Sequence, residues 1–297
     1  MSDRSSVRRR LLLYGLPILA LGGAGCLPRD LAGWLWSSPA HVSPPPGGGV
    51  PINIQVDAEM EGVAGLARIT DELQRRGILT TVYVTADYAN RQQPAVTELY
   101  HQGFEIALHG YYTGEQLATM TYEEQKDLLT RAKTAVEGCR PCGHYKPVVG
   151  FRPQYFSQNE DTYEILDELG LAYNSGFKAR QLALPGHEND TLPYIVADHS
   201  FKAVPISTVE YGGKRVYLCD ISFAEGDHMT GAQFGEALHL ALEEAVAADE
   251  PLVVLVHNWY TGDSDKYDYW QPFRDFLDEA AAKGTFVTTQ ALVEASD

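Results

Sequence analysis

Two carboxylates, Asp57 and Glu59, stand two residues apart at the end of an apolar stretch covering residues 51–56. If that stretch is a strand running through them, both side chains point to the same side. Side by side, two carboxylates repel unless a proton or cation separates them. A divalent metal is the usual remedy, and one of the pair then serves as a base. An exposed acidic turn is the plainer account of this pair alone, since Glu61 follows and no basic residue stands near. His109 and His257 each close an apolar run, residues 104–108 and 252–256. Each fits a hydrogen-bonded rim residue, and each fits a ligand or an acid–base group with a tuned pKa. Arg152 precedes Pro153, where the chain must leave regular structure. A buried Arg needs a carboxylate partner, and Asp57 offers one; a surface position is the alternative.

These residues are distant in sequence, so the elements must bring them together. From residue 50 onward apolar strand-like runs and helical spacings alternate. Strands are expected at 51–56, 79–84, 104–108, 148–152, 202–207, 215–221, 252–256 and 285–288. Helices are expected at 62–76, 95–102, 121–137, 160–169, 231–248 and 270–283. Thr121 with Glu124 three residues on reads as a capping box. Strand–helix alternation over this length predicts an α/β fold with a parallel sheet, open or closed into a barrel. In a parallel barrel the C-terminal strand ends share one face. Asp57, Glu59, His109, Arg152 and His257 all follow or end strand-like runs, so they are expected to converge there.

The order and spacing of these residues are similar to the NodB-homology polysaccharide deacetylases, carbohydrate esterase family four. The resemblance spans about residues 50–293 and rests on five segments in order: Val56-Asp57-Ala58-Glu59; His109-Gly110-Tyr111-Tyr112-Thr113; Arg152-Pro153-Gln154-Tyr155; Leu169-Gly170-Leu171-Ala172-Tyr173-Asn174-Ser175; and Val254-Leu255-Val256-His257. The His-Gly-Tyr opening resembles one branch of the family. The resemblance implies a distorted (β/α) barrel of NodB type with a parallel strand core, acting as a metal-dependent hydrolase of N- or O-acetyl groups on sugars. Within it, Asp57 would be the base, Arg152 would hold and tune it, and His257 would protonate the leaving group. The Tyr155 backbone N–H would help bind the oxyanion, and Glu59 and His109 would hold a divalent metal, Zn²⁺ or a similar ion. The expected partner is an acetylated polysaccharide or a peptidoglycan fragment.

This sequence departs from the family's pattern at three places. Ala58 displaces the second acid by one residue. Gln154 replaces a Pro. Thr113 stands where a second metal-binding His belongs, and a hydroxyl is a poor zinc ligand beside an imidazole. Asp57, Glu59 and His109 remain as a three-residue set, with His199, His228 or an acid from 263–268 as possible replacements. Asp198 and Asp220 are both weak matches to the remaining family motif. Two other readings stay open: a non-catalytic glycan-binding relative with a degenerate metal site, and a hydrolase of another C–N bond, formyl or cyclic amide.

Composition bounds the partners. The 297 residues carry 40 Asp and Glu against 23 Lys and Arg, a formal charge of −17. The first 26 hold four Arg and one Asp, so the remainder carries −20. Such an acidic body argues against nucleic acid. Residues 1–26 run basic, apolar, small, the order of a secretory signal, with a loose twin-arginine match at Arg8-Arg9-Arg10-Leu11-Leu12. Ala24-Gly25-Cys26 resembles the end of a lipobox. The expectation is export, either lipid-anchored at Cys26 in the cell envelope or secreted, with membrane contact only through that segment. Residues 27–49 read as a Pro/Gly-rich linker and 50–297 as the catalytic-type domain. In an exported chain, Cys139 and Cys142 are expected to form a local disulfide, and Cys219 to be a buried free thiol.

Overall fold

The first strand, β1 (Val50–Ala58), shows how the sequence builds both a core and a site. Its residues alternate. Ile52, Ile54 and Val56 turn outward into a fully buried cluster shared with the surrounding helices. Asn53, Gln55 and Asp57 turn inward, equally buried. The computed structural model describes residues 48–60, 62–144, 146–263 and 267–296, which lie in one compact unit. The signal-like segment 1–26, Cys26 and the linker up to residue 47 lie outside the described residues.

After β1 come α1 (Val63–Arg75), β2 (Thr81–Val84), α2 (Ala86–Arg91), α3 (Gln93–Gln102), β3 (Glu105–Leu108) and α4 (Tyr122–Glu137). Next are β4 (Gly150–Phe151), α5 (Glu160–Glu168), β5 (Tyr173–Lys178), β6 (Tyr194–Ile195), β7 (Lys202–Ile206), β8 (Thr208–Tyr211) and β9 (Lys214–Tyr217). The chain ends with α6 (Gly231–Ala248), β10 (Leu252–His257), α7 (Trp270–Lys283), β11 (Gly284–Phe286) and α8 (Thr289–Glu294). Among the described residues nine strands form one sheet in the order β10-β1-β2-β3-β4-β5-β7-β6, with β11 also paired to β1. Every pairing in it is parallel except β6 with β7. The sheet curls into a half-barrel with helices outside. Its two ends approach through isolated bonds, Ser207 N–H to Val253 O at 3.0 Å and Leu255 N–H to Leu218 O at 2.9 Å.

Helix α1 buries Leu66, Ile69 and Leu73, spaced three and four apart, so one stripe meets the sheet. Truncating a fully buried side chain such as Ile69 to Ala would cost about 2–5 kcal/mol. Helix α4 starts with the capping box at Thr121 and Glu124, both bonds present. Caps of this kind contribute about 1 kcal/mol. Tyr83, Ala107, Tyr173, Val204, Val253 and Leu255 form a second cluster on the strand faces opposite the first.

Three departures from expectation bear on how the site is framed. Helix α2 follows β2 at once because Thr85 caps it, its side chain accepting the Tyr88 N–H. Strand β5 has little apolar signal because Asn174 and Ser175 are polar, yet both are buried and bonded within the fold. The strand expected at 215–221 is instead the return arm of an antiparallel hairpin, β8–β9, and stops at Tyr217. The expected Cys139–Cys142 disulfide does not form. Cys139 is a free thiol directed inward, its Sγ 3.6 Å from the Ala89 carbonyl, whereas Cys142 sits on an exposed turn. Cys219 is free and buried, as its surroundings in the sequence indicate.

Candidate active site

Parallel pairing places the chemically interesting residues at one end of the sheet. Asp57 of β1 lies in register with His257 of β10 on one side and Tyr83 of β2 on the other. His109 follows β3, and Arg152 follows β4, whose Phe151 pairs with Leu108. These C-terminal ends open on a cleft of about 440 Å³. Asp57, Glu59, His109, Arg152, Tyr155 and His257 all line it.

Asp57 is 2% exposed and forms an ion pair through Oδ1 with Nη2 of Arg152. Nη1 of Arg152 donates to Oε1 of Gln55, and the Tyr83 ring lies 3.9 Å from the guanidinium carbon. Gln55 is itself fixed: its Oε1 accepts from the Ser175 hydroxyl at 2.9 Å, and its Nε2 donates to Asn53 Oδ1 at 2.7 Å. Burial alone would raise the Asp57 carboxyl. The charges of Arg152, His109 and His257 outweigh it and hold the pKa below the ordinary value.

Nδ1 of His109 lies 2.9 Å from the Arg152 carbonyl, which accepts only, so Nδ1 carries the proton. Nε2 then presents its lone pair 3.3 Å from Oδ2 of Asp57. Nδ1 of His257 lies 2.6 Å from Oδ1 of Asp220 and donates to it. Its Nε2 lies 3.5 Å from the same Oδ2 of Asp57. Asp220 is fully buried, and its Oδ2 also accepts from the His257 N–H and the Thr261 hydroxyl, each at 2.8 Å. Burial works against the His257 imidazolium, but Asp220, then Asp57 and Glu59, raise its pKa above the ordinary value. Oδ2 of Asp57 therefore faces both Nε2 atoms, although among the described residues the ligand atoms of Asp57, His109 and His257 do not all lie within 4.8 Å of one another.

The Glu59 carboxylate borders this set, with Oε1 accepting from the Trp259 indole at 3.2 Å. Among the described residues, the ligand atoms of Asp57, Glu59 and His109 do not all lie within 4.8 Å of one another. Thr113 lines the cleft, and its hydroxyl accepts from the Met60 N–H at 3.4 Å. Neither His199 nor His228 lines the cleft; His199 is bonded to Asp167 at 2.7 Å. Asp268 accepts the Gly231 N–H at 2.9 Å at the start of α6. Asp265 lies outside the described residues. Asp198 is on an exposed turn, so of the two weak motif candidates only Asp220 reaches the site.

Tyr155 sits at the cleft rim, 69% exposed, and takes φ 54, followed by Phe156 at φ 57. Two successive side-chain-bearing residues in the left-handed region strain the turn, a feature that clusters at functional sites. Gln154, the departure from Pro, ties the His109 loop: Nε2 donates to the carbonyls of His109 at 3.0 Å and Tyr112 at 2.6 Å, and Oε1 accepts the Gly114 N–H at 2.6 Å. Gln55 and Lys178 belong to none of the five matching segments, and Ser175 enters only as the last residue of one of them. The polar residue Gln55 alternating inside an apolar strand was the signal available for the first.

Residues 51–174 match the family profile for polysaccharide deacetylases. A peptidoglycan deacetylase-like protein of Gibberella zeae is 29% identical over 147 residues, 48% of this chain and 41% of that protein. The chain thus spans about two fifths of that relative's length. Two solved structures share the fold. A proposed polysaccharide deacetylase from Mycobacterium smegmatis superposes with a TM-score of 0.68 at 20% identity, over 88% of this chain and 94% of its own. The Puue allantoinase gives 0.69 at 16% identity, over 87% and 95%.

Proposed function

We propose that this chain, whose residues 51–174 match the polysaccharide deacetylase family profile, hydrolyses acetyl groups from an envelope or extracellular glycan. The observation that carries this reading is the pairing of two tuned groups across one cleft: Asp57 held by Arg152, and His257 held by Asp220. Asp57, with its pKa depressed, is ionised at neutral pH and accepts a proton from the attacking water. Arg152 fixes its orientation. His257, its pKa raised above the ordinary value by Asp220, is the group placed to give a proton from Nε2 to the departing amine or hydroxyl. Asp220 fixes the His257 tautomer, as the carboxylate of a catalytic triad does. The backbone N–H of Tyr155, in the strained turn at the cleft rim, would help bind the developing oxyanion.

Glu59 and His109 would hold a divalent metal, with Oδ2 of Asp57 beside them. When bound, such an ion polarises the acyl carbonyl and makes water more acidic. With Thr113 in place of an imidazole, that hold is weak. The signal-like residues 1–26 support export, with Cys26 as lipid anchor or secretion without one. The name of the Gibberella zeae relative supports testing peptidoglycan fragments beside chitooligosaccharides.

The test is acetate release from both substrates by the purified full chain, with added Zn²⁺ and with chelator. Slow release that chelator suppresses and Asp57→Asn abolishes is expected. Glycan binding without any acetate release would instead favour the non-catalytic relative, the reading that Thr113 supports. Release of ammonia or formate from cyclic-amide or formyl substrates alone would favour the other C–N hydrolase.

A further inference from the structure

Lys178 ends β5 and lines the same cleft as Asp57 and His257. Its ammonium lies 4.2 Å from the Phe156 ring centroid and 4.0 Å from that of Tyr217. The two rings meet edge to face at 86° with centroids 5.6 Å apart, so they grip the ammonium from two sides. The strained turn at Tyr155 and Phe156 delivers one of these rings. Lys126, Lys133, Lys214 and Lys283 each meet a carboxylate. Among the described residues Lys178 meets none. The acids of the cleft are engaged elsewhere: Asp57 with Arg152, Glu59 with Trp259, and Glu225 with the Tyr260 hydroxyl.

A partly buried cation without an anion is costly to maintain, and aromatic faces recover only part of the lost hydration. Burial accordingly lowers the ammonium's pKa from the ordinary lysine value. Such a group is poised for an anion that arrives with the ligand.

We propose that Lys178 is a carboxylate-recognising subsite, so that the substrate is an acylated sugar carrying a carboxylate close to the acetyl group. This rests on the deacetylase reading of the same cleft and specifies its substrate class. A single ammonium matches a monoanion. A phosphate dianion would need a fork of donors and would meet the charges of Asp57, Glu59 and Glu225. Neutral acetylated chains would bind without using Lys178.

The experiment is calorimetric titration of the full chain with peptidoglycan glycan fragments whose stem peptides have been removed, so that the lactyl carboxylates are free. The control is the same fragment with those carboxylates methyl-esterified. The free acid is expected to bind about tenfold or more tighter than the ester, a difference of about 1.4 kcal/mol. In Lys178→Met, which keeps an apolar stem between the rings, the ratio should fall to about one, and in Lys178→Arg much of it should return. Equal binding of acid and ester by the native chain, or a ratio that survives Lys178→Met, overturns the inference while leaving the deacetylase reading in place. If neither form binds, the inference falls, and acetate release from chitooligosaccharides decides the deacetylase reading separately. Should Lys178→Met fail to fold by circular dichroism, the native ratio and Lys178→Arg still decide.

Discussion

The Nδ1 atom of His257 donates to the Oδ1 atom of Asp220 over 2.6 Å, joining the end of β10 to the turn that follows β9. Asp220 has no exposure and spends its other oxygen on the His257 N–H and Thr261. The imidazole therefore has one orientation, with Nδ1 protonated toward Asp220. Asp220→Asn should keep the fold but lose the charge that raises the His257 pKa. A general acid works in its protonated form. The alkaline limb of the kcat/KM profile should consequently move to lower pH, with kcat falling about 10²–10⁴-fold. A profile that keeps its alkaline limb in Asp220→Asn would remove His257 from the role of acid.

The Asp57–Arg152 pair tests whether a buried charge is held for chemistry or for folding. Removing one partner strands the other, so Arg152→Met should destabilise the chain by about 3–5 kcal/mol in denaturant unfolding. Adding Asp57→Asn should restore most of that stability without restoring activity. Asp57 has a depressed folded pKa, so its contribution to stability is complete above the unfolded value of about 4 and is lost as pH falls toward the folded one. Arg152→Met should therefore show less acid sensitivity than the native chain. Additive losses in the double variant would mean that the two residues act independently.

Much of this site was legible in the sequence because strand ends are marked by apolar runs. Asp57, His109, Arg152 and His257 each stop such a run, and parallel pairing carries them to one edge. What was not legible depends on long-range contacts. Asp220 lies between the hairpin arm that ends at Tyr217 and a π-helical turn that starts at Ser222, so its side chain's direction could not be read from strand alternation. Lys178 gains its meaning only from Phe156 and Tyr217, 22 and 39 residues away. The misread disulfide has the same origin: spacing suits Cys139 and Cys142, but the last turn of α4 aims Cys139 at the core.

That correction has a direct check. Cys139 and Cys219 are both buried, and burial raises both thiol pKa values, which suppresses the reactive thiolate. In the native chain without reductant, neither should be alkylated at neutral pH over hours. In denaturant, still without reductant, both should be labelled, as peptide mass mapping would show. Labelling of Cys139 only after reduction would reinstate a disulfide at that position.

Gln154 offers a stability test apart from the chemistry. Its three hydrogen bonds join the His109 loop to the Arg152 strand end, and its side chain is nearly fully buried. At about 1 kcal/mol net per bond, Gln154→Ala should cost about 2–3 kcal/mol. Exchange of the Gly114 amide should quicken more than that of amides in β1. Uniform quickening would mean that Gln154 stabilises the whole fold and not the loop.

Thr113 decides how well a metal is held. Among the described residues its hydroxyl accepts only the Met60 N–H at the cleft wall, so replacing it removes one weak bond. The loop that carries it is anchored on both sides, at Tyr112 through Glu115 and at Gly114 through Gln154. An imidazole at 113 would therefore start from a defined backbone on the rim of the site that already holds His109 and Glu59. Thr113→His should tighten Zn²⁺ binding at least about tenfold in a competition with a chromogenic chelator, since one added strong ligand exceeds about 1.4 kcal/mol. Acetate release should rise with it if Asp57 remains the base. Affinity that stays at the native level, in a variant with an unchanged circular dichroism spectrum, would mean that position 113 does not face the ion. Tighter binding with no gain in acetate release would place the deficit in Asp57 or His257, and would turn the assignment toward a glycan-binding relative.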